Sequence, residues 1–365
     1  MPPPTLAQLG WNDFFAAGFV PHGELGMLPG RVMRELRGAY ELAMGNPERP
    51  EMTASPAGRL WHGERGEEGG GAPAVGDWVA VRPPGSPGEP GLIRAVLPRR
   101  SKLSRKTAGL RTDEQVIAAN IDTVFLMVGL DGDFNPRRIE RYLAAGWESG
   151  AEPVLVLNKL DVLDVAGWEE RVREVEEIAI GVPVLAISSR TGQGIDALAP
   201  FLLPGRTMSV LGSSGVGKST LINYLLGHEV QSTGPVRESD DRGRHTTTHR
   251  ELFITPSGAL LLDTPGMREL QLWEADEGLG TVFADIEELA AGCRFNDCAH
   301  QGTPGCAVEA AVAAGSLDPD RLESWRKLQG EQRQIRAKQD VIARLREKQR
   351  IKALAKSADR FRPRG

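Results

Sequence analysis

The sequence predicts a multidomain protein in which an OB-like β-barrel comes first, a P-loop α/β domain follows, and a zinc-binding α-helical domain comes last. Alternating strand patterns with Gly-rich turns indicate the barrel. Near-continuous apolar runs that alternate with helical stretches indicate the α/β domain. Three cysteines in one short segment, followed by a basic helix, indicate the last domain. The predicted boundaries are 1–112, 113–280 and 281–365.

Composition limits the class of protein. The chain has 365 residues, 40% of them hydrophobic, which is enough for two or three domains with cores of their own. It contains no apolar run of about 18 residues, and its start lacks the basic-then-apolar order of a signal peptide. We therefore expect a cytoplasmic protein. Nothing in the sequence indicates an obligate dimer, so we expect a monomer.

The barrel prediction depends on two strands and the turn between them. Residues 75–81 alternate between apolar and polar, residues 91–97 form a second strand pattern, and a Pro/Gly tract joins them. The basic run Arg99–Lys106 comes next. We interpret it as a linker, with an RNA-contacting loop as the alternative.

The α/β prediction depends on apolar runs long enough to be buried parallel strands. Helical stretches at 137–149 and 168–180 alternate with them, as in a doubly wound sheet. The predicted strands cover 121–128, 153–157, 182–187, 207–211 and 260–262.

A phosphate-binding loop lies between a strand and a helix, which is the context that this motif requires. The pattern is Gly-x4-Gly-Lys-Ser, and its glycines let backbone N–H groups surround a phosphate. Lys218 is expected to neutralise the β and γ oxygens, as a catalytic group, and Ser219 to ligate Mg²⁺. The predicted contacts are Gly212, Ser213, Ser214, Gly215, Val216, Gly217, Lys218, Ser219 and Thr220.

Two further segments belong to the same predicted site. Asp263 ends an apolar strand and is expected to hold Mg²⁺ through water, and the Gly266 N–H is expected to meet the γ-phosphate. One threonine of Thr246–Thr248 should ligate Mg²⁺, and spacing leaves the choice open; Thr247 is among the predicted nucleotide-binding residues. Met267 stands where many GTPases have a water-orienting glutamine. His245 could take that catalytic role, or it could simply pack or cap the loop.

Asn-Lys-x-Asp at 158–161 predicts recognition of guanine. The Asp161 carboxylate can accept hydrogen bonds from guanine N1–H and N2–H₂, which adenine cannot supply in that pattern, so the box selects GTP over ATP. Asn158 should brace the loop and Lys159 should lie over the base. Ser188 and Ser189 begin a turn in which a backbone N–H could reach guanine O6.

These motifs occur in rotated order. The guanine box precedes the phosphate loop, whereas an ordinary GTPase has the phosphate loop first. The order predicts a circularly permuted GTPase domain. The Asp263 segment then runs directly into the cysteine segment, which offers a covalent route from the γ-phosphate to the C-terminal domain.

The cysteine segment predicts a metal site. Three thiolates and one imidazole within fourteen residues suit one tetrahedral Zn²⁺ with no open position, which is a structural site. The alternative is three buried cysteines and a surface histidine. The predicted ligands are Cys293, Cys298, His300 and Cys306.

The segment from Arg321 onward is strongly basic, although the whole chain has a net charge of −5. Such a helix suits a polyanion, RNA above all, or is an ordinary solvated face.

Taken together, the barrel, the rotated boxes, Gly243–Thr248 and Cys293–His300 resemble the circularly permuted GTPases that act on the small ribosomal subunit, the RsgA (YjeQ) family. The resemblance implies a slow GTPase that is stimulated by the small subunit, binds its 16S-type ribosomal RNA and assists late maturation. It also implies zinc on the four ligands and a hydrophobic residue such as Met267 in place of glutamine.

Two other functions are compatible with parts of this pattern. One is a GTP-gated RNA-binding scaffold with negligible turnover. The other is a metal-delivery GTPase, which the closed four-ligand set disfavours because transfer sites need incomplete coordination.

Overall fold

The computed structural model describes residues 2–61, 71–86, 88–106, 114–131, 134–229, 250–263, 276–333 and 337. The chain divides into two compact units, one of 1–104 with 116–270, and one of 105–115 with 271–365. Within the described ranges, no helix is both long and apolar enough to cross a membrane. The predicted domain boundaries at 112 and 280 stay predictions.

The first unit begins with a closed five-stranded barrel. Neighbouring strands follow the order β1-β2-β3-β5-β4, and β4 returns to pair with β1. The β3–β5 pair is parallel and the other pairs are antiparallel. This arrangement confirms the OB-like barrel. Its strands are β1 (Leu28–Glu35), β2 (Tyr40–Asn46), β3 (Arg49–Pro56), β4 (Trp78–Arg82) and β5 (Gly91–Val96), with a short helix, α2 (Gly58–Trp61), after β3.

Sequence reasoning found only the last two barrel strands. In β1 the charged Arg31 lies at a fully buried position between the buried Gly30 and Val32, so the strand lacks the apolar alternation that marks half-buried strands. The N-terminal segment packs on the barrel through helix α1 (Asp13–Gly23), which Asn12 caps by accepting from Phe14 N at 3.1 Å. The rings of Trp11 and Trp78 meet edge to face at 4.7 Å.

The α/β part continues the same sheet in the order β10-β9-β8-β11-β13-β12. Its strands run parallel except β12, which is antiparallel to β13 and meets barrel strand β1 at the pair Arg34–Glu251. The core is aliphatic and aromatic. The strands are β8 (Thr123–Gly129), β9 (Glu152–Asn158), β10 (Val184–Ala186), β11 (Thr207–Gly212), β12 (Glu251–Ile254) and β13 (Leu260–Asp263); the helices are α3 (Pro136–Glu148), α4 (Val165–Ile178) and α5 (Lys218–Leu226).

The interpretation of Arg99–Lys106 as a linker is wrong. Arg99 donates to the fully buried Asp77 carboxylate through Nε at 2.8 Å and Nη2 at 2.6 Å. The side chain of Leu103 is buried, and Lys102–Lys106 forms strand β6, which pairs with β7 (Glu114–Ala119). The sequence pattern misled because a buried carboxylate can hold an arginine that looks solvent-exposed in a basic run.

Arg31 joins the barrel to the α/β part. Its guanidinium donates to the Leu9 carbonyl, to Asn120 O at 3.2 Å and to Thr207 Oγ1 at 2.8 Å. Burial lowers the pKa of Arg31 to about 10, against the opposing charges of Asp122 and Asp77. The side chain is therefore still a cation at neutral pH.

The second unit contains α6 (Asp276–Val282), α7 (Ala284–Ala290) and α8 (Ala307–Ala313), followed by helix α9 at 319–333. Arg321 donates to Asp285 through Nε at 2.8 Å and to Val282 O at 2.7 Å. Arg326 donates to Glu309 at 3.3 Å. The first basic residues of the C-terminal segment are therefore engaged within this unit. Residues 334–336 and 338–365 lie outside the described ranges.

Candidate nucleotide site and metal centre

The predicted nucleotide residues lie where neighbouring parallel strands end. Asn158 ends β9, Gly212 ends β11 and Asp263 ends β13. Asn158 and Asp263 are 1% and 4% exposed, so their polar groups face the protein rather than bulk water. Because the carboxyl ends of parallel strands share one sheet edge, the fold assembles the motifs that the sequence separates.

The phosphate loop has the backbone conformation that its glycines predict. Gly212, Gly215 and Gly217 have φ of 154°, 78° and 103°, a region that favours glycine. Helix α5 begins at Lys218, so Ser219 and Thr220 occupy its first turn. The Lys218 ammonium donates to Gly212 O at 2.9 Å and Ser213 O at 2.5 Å. The loop thus holds its lysine beside the backbone that would surround a phosphate.

Asn158 connects the guanine box to the phosphate loop. Its Nδ2 donates to Val216 O at 2.7 Å and to Ser189 Oγ at 2.9 Å, and its Oδ1 accepts from Ser189 N at 2.9 Å. One buried amide therefore joins three segments that are far apart in sequence. The Ser189 N–H is engaged within the site by this contact.

Gly217 makes this connection possible. A Cβ at this position would lie 2.3 Å from Asn158 Nδ2, and the φ of 103° is unfavourable for other residues. We expect Gly217→Ala to weaken GTP binding by about 100-fold, because it would displace a buried amide and lose its hydrogen bonds. Equilibrium binding of a fluorescent GTP analogue measures this.

Gly227→Ala is the matched control for that variant. Gly227 follows the other end of α5 with φ of 73°, and its Cβ would approach Pro256 Cγ no closer than 3.8 Å. It also has a positive φ, but an added Cβ there meets no clash. Equal loss of affinity in both variants would show that strain alone explains the effect.

Asp161 lies in a single 3₁₀ turn, Leu160–Val162, with its carboxylate held on both oxygens. Ser188 Oγ donates to Oδ1 at 2.5 Å, and Arg190 forms an ion pair with Oδ2. The Ser188 hydrogen bond is the main reason that the pKa of Asp161 lies below its usual value, with Arg190 contributing. The group is therefore an ionised acceptor, as guanine recognition requires. Sequence reasoning did not find the Arg190 contact.

Lys159 has a partner that the sequence analysis missed. It adopts a left-handed conformation, with φ of 70°, and its ammonium pairs with Asp131. The loop after β8 is fastened to the guanine box, since Leu130 N donates to Asn158 O at 2.8 Å. Asp131 could have been found from the sequence, because it is a carboxylate that closely follows an apolar strand ending at the same sheet edge.

The remaining predicted nucleotide residues lie outside the described ranges. These are His245, the threonines 246–248 including Thr247, and Gly266, together with Met267. Their roles stay predictions.

The four predicted metal ligands converge. The ligand atoms of Cys293, Cys298, His300 and Cys306 all lie within 4.8 Å of one another. His300 Nδ1 lies 3.4 Å from Cys306 Sγ and 3.6 Å from Cys293 Sγ. Four convergent soft donors could hold one tetrahedral metal ion, and no fifth His, Cys or carboxylate of the described residues joins this group.

The backbone around the cluster favours thiolates. Ala307 N donates to Cys293 Sγ and Glu309 N to Cys306 Sγ, each at 3.4 Å. Although desolvation opposes them, the N–H groups near the start of α8 lower the pKa of Cys293. Desolvation raises the pKa of Cys306 and lowers that of His300. A neutral imidazole is the form that binds metal.

Two residues that are not metal ligands hold His300 in place. It has φ of 53°, its carbonyl accepts from Arg326, and its ring lies 5.3 Å from that of Trp325. These contacts hold the imidazole in place, as partners of a metal-binding histidine commonly do.

Comparison with known proteins agrees with this geometry. The model of the family described as RsgA GTPase matches residues 96–273. A small ribosomal subunit biogenesis GTPase RsgA from Opitutus terrae is 50% identical over 359 residues, covering 96% of each chain.

Solved structures give the same fold. YjeQ from Thermotoga maritima has a TM-score of 0.59 and 26% identity, covering 84% of this chain and 98% of its own. YloQ, described as a circularly permuted GTPase, also has a TM-score of 0.59, with 25% identity, covering 84% of this chain and 96% of its own. With 50% identity over nearly its whole length and the rotated boxes meeting at one sheet edge, this chain belongs to the RsgA family of circularly permuted GTPases.

Proposed function

We propose that the protein is a GTP-hydrolysing assembly factor that binds the small ribosomal subunit and its 16S-type RNA and assists late maturation. The Asn158 contacts carry the nucleotide part, since they bring the guanine-accepting carboxylate of Asp161 and the phosphate loop to one sheet edge. The ribosomal part is supported by the similarity to small-subunit biogenesis GTPases over 96% of the chain. We expect the protein to act in the cytoplasm as a monomer.

In this proposal each motif has a separate task. Asp161 accepts from guanine, with Ser188 holding that carboxylate and Asn158 bracing Ser189. Lys159 lies beside the base. The N–H groups of residues 212–217 and the Lys218 ammonium neutralise the phosphates, and Gly266 meets the γ-phosphate.

Mg²⁺ would be held by Ser219 and one threonine of 246–248, with Asp263 acting through water, and would offset negative charge on the β and γ oxygens. His245 would orient or deprotonate the attacking water. One Zn²⁺ on the four-ligand cluster would stabilise the second unit.

GTP turnover with and without purified small subunits tests the proposal. We expect slow turnover alone, because Met267 cannot orient water, and at least about a tenfold rise at saturating subunits, which is about 1.4 kcal/mol of barrier. Large subunits are the control. Unchanged turnover despite subunit binding would instead support a GTP-gated scaffold.

His245→Ala tests the hydrolytic role of that side chain. We expect turnover to fall about 100-fold, the lower range for a lost general base, with GTP affinity nearly unchanged. His228→Ala is the control, since His228 is exposed just after α5 and its Nδ1 lies 2.9 Å from Leu226 O, within the same chain turn. Normal turnover in His245→Ala would remove this residue from the mechanism.

A further inference from the structure

A second polar cleft lies away from the nucleotide site, between the N-terminal segment, the barrel and the α/β part. It has a volume of about 310 Å³, at the lower end of the range for small-molecule sites. Its charged lining residues are Arg31, Arg100, Arg206 and Asp122. Three arginines against one aspartate give a net charge of +2, so an anion is the favoured occupant.

The single acidic group does not neutralise these cations. Asp122 Oδ2 already accepts from Thr207 N at 2.8 Å, and Oδ1 lies 3.6 Å from Arg100, beyond a strong hydrogen bond. Within the part of the chain that the structure describes, the ion pair of Arg206 is with the exposed Glu152, at 3.3 Å. Ion pairs at such exposed positions contribute little to stability, so another anion can readily replace the carboxylate.

Two of the arginines that line the cleft each carry a buried donor without a partner. The Nε atoms of Arg31 and Arg206 are buried, and neither has a hydrogen-bond acceptor among the described residues. Buried donors of this kind are nearly always satisfied in native proteins, by protein, water or ligand. Arginine forks match the tetrahedral oxygens of phosphate, to which they can donate paired hydrogen bonds.

The Arg31 side chain and the Arg206 backbone are held in place. Arg31 is held by its three acceptors, and the Arg206 carbonyl accepts from Leu260 N at 2.8 Å. Arg206 also immediately precedes β11, the strand that ends in the phosphate loop. Arg31 is therefore a fixed buried charge beside the cleft, and Arg100 and Arg206 add two half-exposed cations to its lining.

We propose that this cleft is a second phosphate-binding site, distinct from the GTP site, whose ligand is a phosphate group of a small molecule or of an RNA backbone. Arg100 and Arg206 supply the solvent-facing donors, and Arg31 supplies the buried charge.

Calorimetric titration of the full chain tests this site. The GTP site is first saturated with a non-hydrolysable GTP analogue and Mg²⁺, so that the phosphate loop cannot bind the titrant. Inorganic pyrophosphate and a short single-stranded RNA are then titrated separately. Pyrophosphate binding alone would identify a small phosphorylated ligand, and cleft-dependent RNA binding would identify an RNA phosphate.

The double variant Arg100→Gln/Arg206→Gln removes two positive charges and their guanidinium forks at side chains that are 51% and 43% exposed, which preserves the fold. Arg171→Gln/Arg173→Gln on α4 removes the same charge elsewhere. We expect the cleft variant to lose affinity for the bound titrant by about tenfold or more and the α4 variant to change it less than about twofold. Absence of binding for both titrants, or equal affinity in the cleft variant, would overturn the proposal.

Discussion

Asp161→Asn should lower GTP affinity by about 100-fold and raise the affinity for xanthosine triphosphate, which the unchanged protein should bind poorly. The carboxylate offers two acceptors to the N1–H and N2–H₂ donors of guanine. An asparagine amide offers one acceptor and one donor, so its NH₂ would face the guanine amino group. Xanthine has a carbonyl in place of that amino group and therefore matches the amide.

The contacts around Asp161 make this variant a clean test. Ser188 Oγ can still donate to the asparagine Oδ1, and Arg190 loses only its ionic partner at a side chain that is 75% exposed. We therefore expect the fold and the phosphate contacts to be retained. Competition binding with GTP, ATP and xanthosine triphosphate measures the change in selectivity.

Asp164→Asn is the matched control. This aspartate lies three positions away, is exposed, and caps α4 by accepting from Gly167 N at 2.9 Å. Asparagine caps helices about as well as aspartate, so selectivity should be unchanged. If Asp161→Asn kept its preference for GTP, Asp161 would not be the guanine-reading group.

Cys306→Ser should remove the metal and unfold the region around the cluster. Cys306 is 6% exposed, and its sulfur both approaches His300 and caps α8. Structural zinc sites commonly contribute about 10–16 kcal/mol of apparent binding energy to folding, far more than a small helical region can replace. We expect zinc content to fall from one ion per chain to nearly none.

Metal analysis combined with hydrogen exchange measures both effects. Exchange should rise over α7 and α8, while GTP affinity in the first unit should be retained. Asp297→Asn is the control, since this exposed residue lies within the cysteine segment but outside the ligand set. A Cys306→Ser protein with native exchange rates and no metal would rule out a structural role for zinc.

Local sequence was informative wherever chemistry depends on neighbouring residues. The phosphate loop, the guanine box and the cysteine segment each place their groups within a few positions of one another. Near-continuous apolar runs also predicted the parallel strands, because central strands of such a sheet are buried on both faces. The rotated order of the boxes, read from the sequence alone, agreed with the family comparison.

Local sequence was misleading wherever a charged residue is buried. Arg31 interrupts the pattern of β1 because its partners, Asn120 and Thr207, lie 89 and 176 positions away. Arg99 was predicted to be part of a linker because the buried Asp77 that holds it lies 22 positions earlier, just before β4. The spacing of apolar residues along a chain indicates which side chains are buried. A charged side chain that is buried against distant partners does not contribute to that spacing, so its burial cannot be predicted from it.

Sequence alone was enough to predict a guanine-reading box, a phosphate loop and four metal ligands, because those groups recur at spacings that backbone geometry requires. The connections between these parts became visible in the folded chain. Asn158 joins the guanine box to Val216 of the phosphate loop, and Arg31 joins the barrel to the strand that carries that loop. Such contacts form between sheet edges and buried side chains that chain order does not bring together, so they exist only once the chain has folded.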